Sequence, residues 1–337
     1  MKTDMQAMVV HKYGNNPVQK EMMPLPSMNP YEVRVKIKAA SVNPIDYKIR
    51  DGGLKLLLKF QFPLILGNDF AGVITEVGSK VEDFKVGDEV YGRPRKEKIG
   101  TFAEYISVDA SEIALKPNKL SFEEAASIPL VGLTAYQALN DIMDLKAGNK
   151  VLIQAGAGGV GTFAIQLAKA MELYVATTAS ERGYELVKAL GADEIINYKT
   201  EDFSQRLNNY DGAFDTLGGE NLDKSFKVLK PHGTIASVSG IPTVKLAKQL
   251  NLNKFKQLLL RGASAKLVKR AQKYNVNYEF LFMQPSGEQL NTISNLINEG
   301  KIIPIIDKVY GFEQTQEALE YSSSGKAKGK IVISMDK

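Results

Sequence analysis

Over residues 33–39, apolar residues recur at every second position. Val33, Val35, Ile37 and Ala39 alternate with Arg34, Lys36 and Lys38, the period of a strand with one buried face. Residues 72–78 and 88–92 read as further short strands, each closed by a glycine. The first 120 residues therefore read mostly as β. Ser121 then precedes Glu124 at capping-box spacing, opening a helix that Pro129 and Gly132 interrupt and that continues to about Leu139.

From Lys150 the period changes. Strand patterns at 151–154, 174–178, 194–196, 212–215 and 234–238 alternate with helical patterns ending at 171 and spanning 182–190, 201–208 and 221–230. Repeated βα units predict an α/β fold with a doubly wound parallel sheet, since parallel neighbours need a crossover between them. The tail is mixed: helices at 287–298 and 313–321, and strands at 309–310 and 330–333.

Between the first of these strands and its helix stand Gly156, Ala157, Gly158, Gly159, Val160 and Gly161. A backbone bare of side chains comes close to a pyrophosphate there, and a helix start offers free N–H groups and a positive dipole end. A tight βα turn with no ligand is the other reading; the strand before, the helix after and the further units favour a dinucleotide. In NAD-binding folds a carboxylate about 20 residues beyond the glycines accepts the ribose hydroxyls. Here the second strand ends Thr177, Thr178, Ala179, Ser180, with no acid at its tip, and Arg182 follows. Ser180 and Arg182 would hold a 2′-phosphate that a carboxylate would repel, which favours NADPH over NADH. Glu181 lies between them as a counter-charge, and a solvated Arg182 is the competing reading.

A length of 337 residues suggests two domains. Apolar content of 44% and charged content of 24% are those of an ordinary soluble globular chain. Met1, Lys2, Thr3 and Asp4 lead straight into a strand pattern, so no signal peptide is expected. The longest apolar stretch, residues 54–66, is broken by Lys55, Lys59 and Gln61 and is too short to span a membrane; it walls a lipophilic pocket or packs the β-rich part. The absence of cysteine excludes disulfides and thiolate chemistry and fits a cytoplasmic location. Only His11 and His232 are present, in different predicted domains, so no metal site is expected. The net charge of +5 is unevenly placed: residues 241–278 hold nine Lys or Arg and no Asp or Glu. That stretch reads as a solvated helical surface, or as a face for RNA or an anionic membrane. Sparse aromatics argue against base stacking, and no nucleic acid is expected.

The motifs resemble the medium-chain dehydrogenase/reductase superfamily, and within it the zinc-free quinone and enone reductases. The resemblance rests on residues 41–46 (Ser-Val-Asn-Pro-Ile-Asp), 67–73 (Gly-Asn-Asp-Phe-Ala-Gly-Val), 84–92, 100–105, the glycine loop, 190–193 with Asn197 and Tyr198, and 325–330. Zinc alcohol dehydrogenases carry a ligand cysteine where this chain has Asn43, and a Gly-His-Glu motif where it has Gly67, Asn68 and Asp69. Their structural zinc lobe is also missing. The resemblance implies a GroES-like β-rich catalytic domain from residues 1–124 and 277–337, and a Rossmann domain over 125–276, with the active site in the cleft between them. It further implies that Tyr198 joins Ser180 and Arg182 at the 2′-phosphate and that Thr134 lies near the nicotinamide. Backbone at Leu217 and Ser239 would flank the ribose and nicotinamide, and Lys326 or Lys328 would reach the phosphates.

Without zinc to stabilise an alkoxide, alcohol oxidation is disfavoured, whereas hydride addition to a conjugated acceptor needs less. Asn43 and Tyr47 are the candidates to orient a substrate carbonyl by hydrogen bonding. Asn43 also reads as the initiator of an Asn-Pro turn, and Tyr47 as a packing residue. Asp46 reads as structural, paired with a lysine of the tail. The expectation is an NADPH-dependent, zinc-independent oxidoreductase of quinones or α,β-unsaturated carbonyls, with a small-molecule substrate and a homodimer left open. The alternatives are an enoyl-thioester reductase, or a non-catalytic NADPH-binding protein that associates with RNA or membrane.

Overall fold

The computed structural model describes residues 3–55 and 57–336; Met1, Lys2, Leu56 and Lys337, which the leader and apolar-stretch readings include, lie outside the described residues. The chain divides into two units, residues 1–133 with 284–337 and residues 134–283. The boundaries expected from the sequence were 124/125 and 276/277. The second falls later because Asn277–Phe280 pairs in parallel with Leu229–Ser237 as the last strand of the nucleotide-type sheet.

That sheet has six strands in the order Glu194–Asn197, Tyr174–Ala179, Lys150–Ile153, Tyr210–Asp215, Leu229–Ser237, Asn277–Phe280, all parallel. The chain order 3-2-1-4-5-6 reverses direction between Lys150–Ile153 and Tyr210–Asp215, the switch point where such sheets bind ligands beyond their strand ends. Val151, Leu152, Ile153, Ala213 and Phe214 are buried, as strands covered by helices on both faces require. The 21-residue helix Lys254–Tyr274 occupies the basic stretch that reads from the sequence as a solvated helical surface. It turns its Leu267 and Ala271 into the core beside Phe226 and Ile235.

The other unit is β-rich and assembled from both chain ends. A seven-stranded sheet runs Ile306–Gly311, Lys330–Ser334, Glu32–Val42, Asp69–Val77, Glu89–Gly92, Ile113–Leu115, with Tyr105–Asp109 also paired to Glu32–Val42. The last strand of the chain thus pairs antiparallel with Glu32–Val42, setting Ile331 opposite Val42. On the other flank Ser41 lies opposite Asp69. The Tyr91 hydroxyl, fully buried, donates to the Leu290 carbonyl at 2.8 Å and so pins helix Gly287–Asn298 to this sheet. A short helix, Pro44–Arg50, follows the central strand in the part read mostly as β; Pro44 at its first turn is preorganised for it.

Candidate functional site

The glycine loop lies between strand Lys150–Ile153 and helix Gly159–Ala170. A Cβ on Gly156 would stand 2.2 Å from Thr177 Oγ1, and one on Gly161 would stand 2.3 Å from the Ala155 carbonyl oxygen. Both positions therefore require glycine to bring the loop against the neighbouring strand and the helix against the turn. Gly158 is the N-cap, with no side chain to occupy the first N–H groups, and the first turn holds no acid. Gly159 and Val160 are half-buried and follow it directly into that turn. The loop is held by the adjacent strand: the Thr177 hydroxyl donates to the Ile153 carbonyl at 2.6 Å, and the Ala155 N–H donates to Thr178 Oγ1 at 3.0 Å. The two threonines were read from sequence only as the non-acidic tip of the strand. Their hydroxyls also lock the loop.

At that strand's end the chain brings Ser180, Arg182 and Tyr198 together. Ser180 is the N-cap of helix Glu181–Ala189 and makes no side-chain cap hydrogen bond. Arg182 is exposed in the first turn of the same helix. The Tyr198 N–H donates to the Ala179 carbonyl at 3.3 Å, and its side chain is 58% exposed. Ala179 pairs with Asn197 across the two strands, so this proximity is a consequence of register.

Two strands further, Asp215 organises the remaining turns. One carboxylate oxygen accepts the N–H groups of Leu217 (3.1 Å) and Gly218 (2.8 Å); the other accepts the Ser237 hydroxyl at 2.5 Å. Ser237 Oγ in turn accepts the Gly240 N–H at 2.8 Å. The Ser239 hydroxyl donates to the Thr216 carbonyl at 2.8 Å, joining the two turns. Burial raises the Asp215 carboxyl above the usual carboxylate range, against the pull of these donors. Sequence reasoning selected Leu217 and Ser239 but missed Asp215, which ties their turns together. Thr134 is buried on helix Pro129–Tyr136, which continues as a π-helix over Gln137–Ile142.

In the β-rich unit the resemblance motifs converge on one buried polar network. Asn43 is 1% exposed; its amide N–H groups donate to Asp69 Oδ2 at 2.8 Å and to the Ser41 carbonyl at 3.3 Å. Its side-chain oxygen accepts Lys330 Nζ at 2.5 Å. Asp69 Oδ2 also takes the Ser41 hydroxyl at 2.6 Å and lies 3.4 Å from Lys330 Nζ, while its other oxygen accepts the Leu130 N–H at 2.7 Å. Asp46 accepts the Asn43 N–H at 2.7 Å and the Asn68 side-chain amide at 2.7 Å. Burial pushes its carboxyl up to about 7, with Asp69 adding to the rise; the bonds from Asn68 and Asn43 and the charge of Lys330 oppose it. Burial likewise lowers the Lys330 ammonium and the Arg93 guanidinium, with Asp69 countering both.

Three strand ends and a helix start explain why these residues meet. Ser41 and Asn43 end or follow the central strand, Asn68 and Asp69 begin one neighbour, Lys330 begins the other, and Asp46 stands in the first turn of the helix capped by Asn43. This corrects one expectation: both amide hydrogens of Asn43 are committed within the protein, so they do not reach out to a substrate oxygen. The expected pairing of Asp46 with a tail lysine is also adjusted. The lysine is Lys330, and its contacts are Asn43 and Asp69. Lys326 is exposed and Lys328 half-buried on the segment leading to it. Tyr47, one residue beyond Asp46, is half-buried; burial raises its phenol above the ordinary value, with Asp51 adding to it, so the phenol keeps its proton at neutral pH.

A parallel six-stranded sheet with this glycine loop, together with a β-rich unit built from both chain ends, defines a nicotinamide-dependent oxidoreductase class. Two family models match the chain accordingly: an alcohol dehydrogenase GroES-like domain over residues 29–118 and a zinc-binding dehydrogenase over residues 190–333. The chain belongs to the medium-chain dehydrogenase/reductase family, among its quinone and enone oxidoreductases. It is 37% identical to the human mitochondrial NAD(P)H oxidoreductase RTN4IP1, over 99% of this chain and 90% of that protein. It is 33% identical to the 2-methylene-furan-3-one reductase of Solanum lycopersicum, over 98% and 79%. The quinone oxidoreductase of Coxiella burnetii superposes with a TM-score of 0.83 at 34% identity, over 98% of this chain and 99% of that one. Among the described residues no helix is long and apolar enough to cross a membrane.

The name of the second family model implies zinc, and the residues here do not fit it. Zinc draws on thiolate, imidazole and carboxylate. The resemblance sets Asn43, Asn68 and Asp69 where zinc alcohol dehydrogenases carry ligands, and the oxygens of Asn43 and Asp69 already face the buried ammonium of Lys330. A divalent ion drawing on the same oxygens would be repelled by that charge.

Proposed function

We propose that the protein is an NADPH-dependent reductase of quinones or α,β-unsaturated carbonyls that works without zinc. Bound at the glycine loop, NADPH would supply a hydride. The first-turn N–H groups after Gly158 would take the pyrophosphate, as an uncapped helix start without acidic residues favours. Ser180, Arg182 and Tyr198 would take the 2′-phosphate, Thr134 would lie beside the nicotinamide, and the turns at Leu217 and Ser239 would flank the ribose. Lys326 and Lys328 would add positive charge toward the phosphates. Tyr47 would donate its phenolic hydrogen to the acceptor's carbonyl oxygen, with Asn43 fixing the helix that carries it.

The observation that carries the cofactor preference is the end of strand Tyr174–Ala179, which itself ends without a carboxylate and is followed by an open serine cap and an exposed arginine, with exposed Tyr198 bonded to its last residue through the backbone and Glu181 as the one acid of that first turn. The names of the relatives support the acceptor class. Oxidation of NADPH and NADH assayed against a quinone, a short enone and an enoyl thioester tests the reading. Turnover of the quinone or enone with NADPH is expected; turnover confined to the thioester, or with none of the three, refutes it. Arg182→Ala should raise the Kd for NADPH about ten- to a hundredfold, the worth of a charge-assisted bond, with little change for NADH. Equal losses for both would show that Arg182 does not read the phosphate.

A further inference from the structure

The helix Lys254–Tyr274 presents a two-part outer face that the reductase reading does not use. At about 3.6 residues per turn its buried Leu260, Ser264, Leu267 and Ala271 form one stripe toward the core. Phe255, Leu258 and Leu259 lie on the opposite side in the first turns, 68%, 65% and 46% exposed. Lys266, Lys269 and Lys273 continue that same side through the last turns, spread over roughly 10 Å of axis. Large apolar side chains left in water beside a row of ammonium groups are costly in solution and suited to an interface that is apolar at one depth and anionic at another.

The charge around this face is lopsided. A groove of about 440 Å³ between these last turns and helix Gly219–Val228 is lined by six lysine or arginine side chains and two carboxylates. Both carboxylates are taken, Asp223 by Arg270 and Glu220 by Lys224. Lys227, Lys266, Lys269 and Lys273 have no carboxylate partner among the described residues, and residues 241–278 contain no acid. With net charge +5 on the whole chain, the cationic surface is concentrated here.

We infer that this face docks on an anionic lipid surface, Phe255, Leu258 and Leu259 entering the headgroup–acyl boundary and Lys266, Lys269, Lys273 and Lys227 meeting lipid phosphates and carboxylates. The charge complementarity selects the occupant: a second copy of the chain would bring like charge against like, and a nucleic acid would leave the three apolar side chains unused. The docking is independent of the reaction proposed above.

The full chain sedimented with phosphatidylcholine vesicles, with and without phosphatidylserine, tests the inference. Binding is expected only to the anionic vesicles, and it should weaken with salt. The combined Lys266→Gln, Lys269→Gln and Lys273→Gln variant should lose about a hundredfold in partitioning, since each lysine near such a surface contributes about fivefold. Phe255→Ser with Leu258→Ser should lose at least about tenfold. The chain has no tryptophan, so Phe255→Trp adds a single fluorophore. Its emission should shift to the blue on anionic vesicles and stay unmoved on neutral ones. Thermal unfolding of each variant at the wild-type midpoint separates loss of docking from loss of fold. Equal binding to both vesicle types, no binding to either, retention on RNA alone, or a blue shift that tracks protein concentration without lipid would each overturn the inference; the last would assign the face to self-association.

Discussion

Asp46→Asn isolates the energetic strain in the buried network. The Asp46 carboxyl is held at about 7, from an ordinary 3.8, chiefly by burial. In the unfolded chain it returns to about 3.9. Between roughly pH 4 and 7 the folded protein therefore holds close to one proton more at this site than the unfolded chain does. Stability then falls as pH rises through that window and levels off above it. The displacement amounts to about 4 kcal/mol, at about 1.4 kcal/mol per tenfold. Asp215 and Glu112 are also raised by burial and act in the same direction, while Asp109 and Asp202 are lowered and act against it.

Comparison with Asp46→Asn cancels those other groups, because asparagine does not titrate. The amide keeps the size of the side chain and can accept one of the two bonds from Asn43 and Asn68. The variant is expected to be less stable than wild type near pH 4, through the lost acceptor, by about 1–3 kcal/mol. That deficit should shrink by about 4 kcal/mol on moving to pH 7.5, and its sign should reverse. Urea unfolding of both proteins at steps across pH 4–7.5 gives the difference directly. A deficit that stays constant to within about 0.5 kcal/mol, well under the expected change, would show that Asp46 ionises as a solvated carboxylate and would refute the burial argument.

Gly156→Ala should weaken dinucleotide binding more than tenfold and cost about 1–3 kcal/mol of stability, because its Cβ falls 2.2 Å from Thr177 Oγ1; calorimetric titration and thermal unfolding read the two effects. Adding Thr177→Ser leaves the hydroxyl in place and should not rescue it, whereas Thr177→Ala should recover part of the binding. Asp215→Ala removes the acceptor of three hydrogen bonds and should destabilise the nucleotide-type unit by about 3 kcal/mol; an unchanged midpoint in urea would show that the turns at Leu217 and Ser239 hold without it.

The parallel sheet was legible because its signals are local. Each βα unit carries its own period, and the glycine loop sits between a strand and a helix that are neighbours in the chain. The polar network was legible only in part. Asn43 and Asp46 lie in one motif and Asn68 and Asp69 in another, yet nothing in the spacing says that Asp69 meets Ser41 or that Lys330 meets Asn43, 287 residues away. Those contacts depend on strand register, and a shift of one residue would have buried Gly329 or Ile331 at that place. The strand Asn277–Phe280 was missed because its alternation is only four residues long and stands on a sheet edge, directly after a basic helical stretch. The basic stretch reads as a helical surface, but its bounds and buried side do not show, because its exposed Phe255, Leu258 and Leu259 blur the stripe that would mark that side.

A buried network of this kind is a poor way to gain stability. Withdrawing Lys330 and Asp69 from water costs more than their attraction returns unless every remaining lone pair and proton is satisfied, and apolar residues of equal volume would hold the strands as well. What the polar set adds is position. Asp69 binds Ser41, Asn43 and Leu130 at once, and Asp46 bonds across the start of the helix, so the first turn that leads into Tyr47 has one permitted placement. The same burial removes Lys330 from chemistry: at 5% exposure, with its ammonium turned to Asn43 and Asp69, it cannot stand in as a Lewis acid for an alkoxide. The donor role proposed for Tyr47 therefore suits an acceptor that spreads the incoming charge over its own conjugated system, which is the property quinones and enones share.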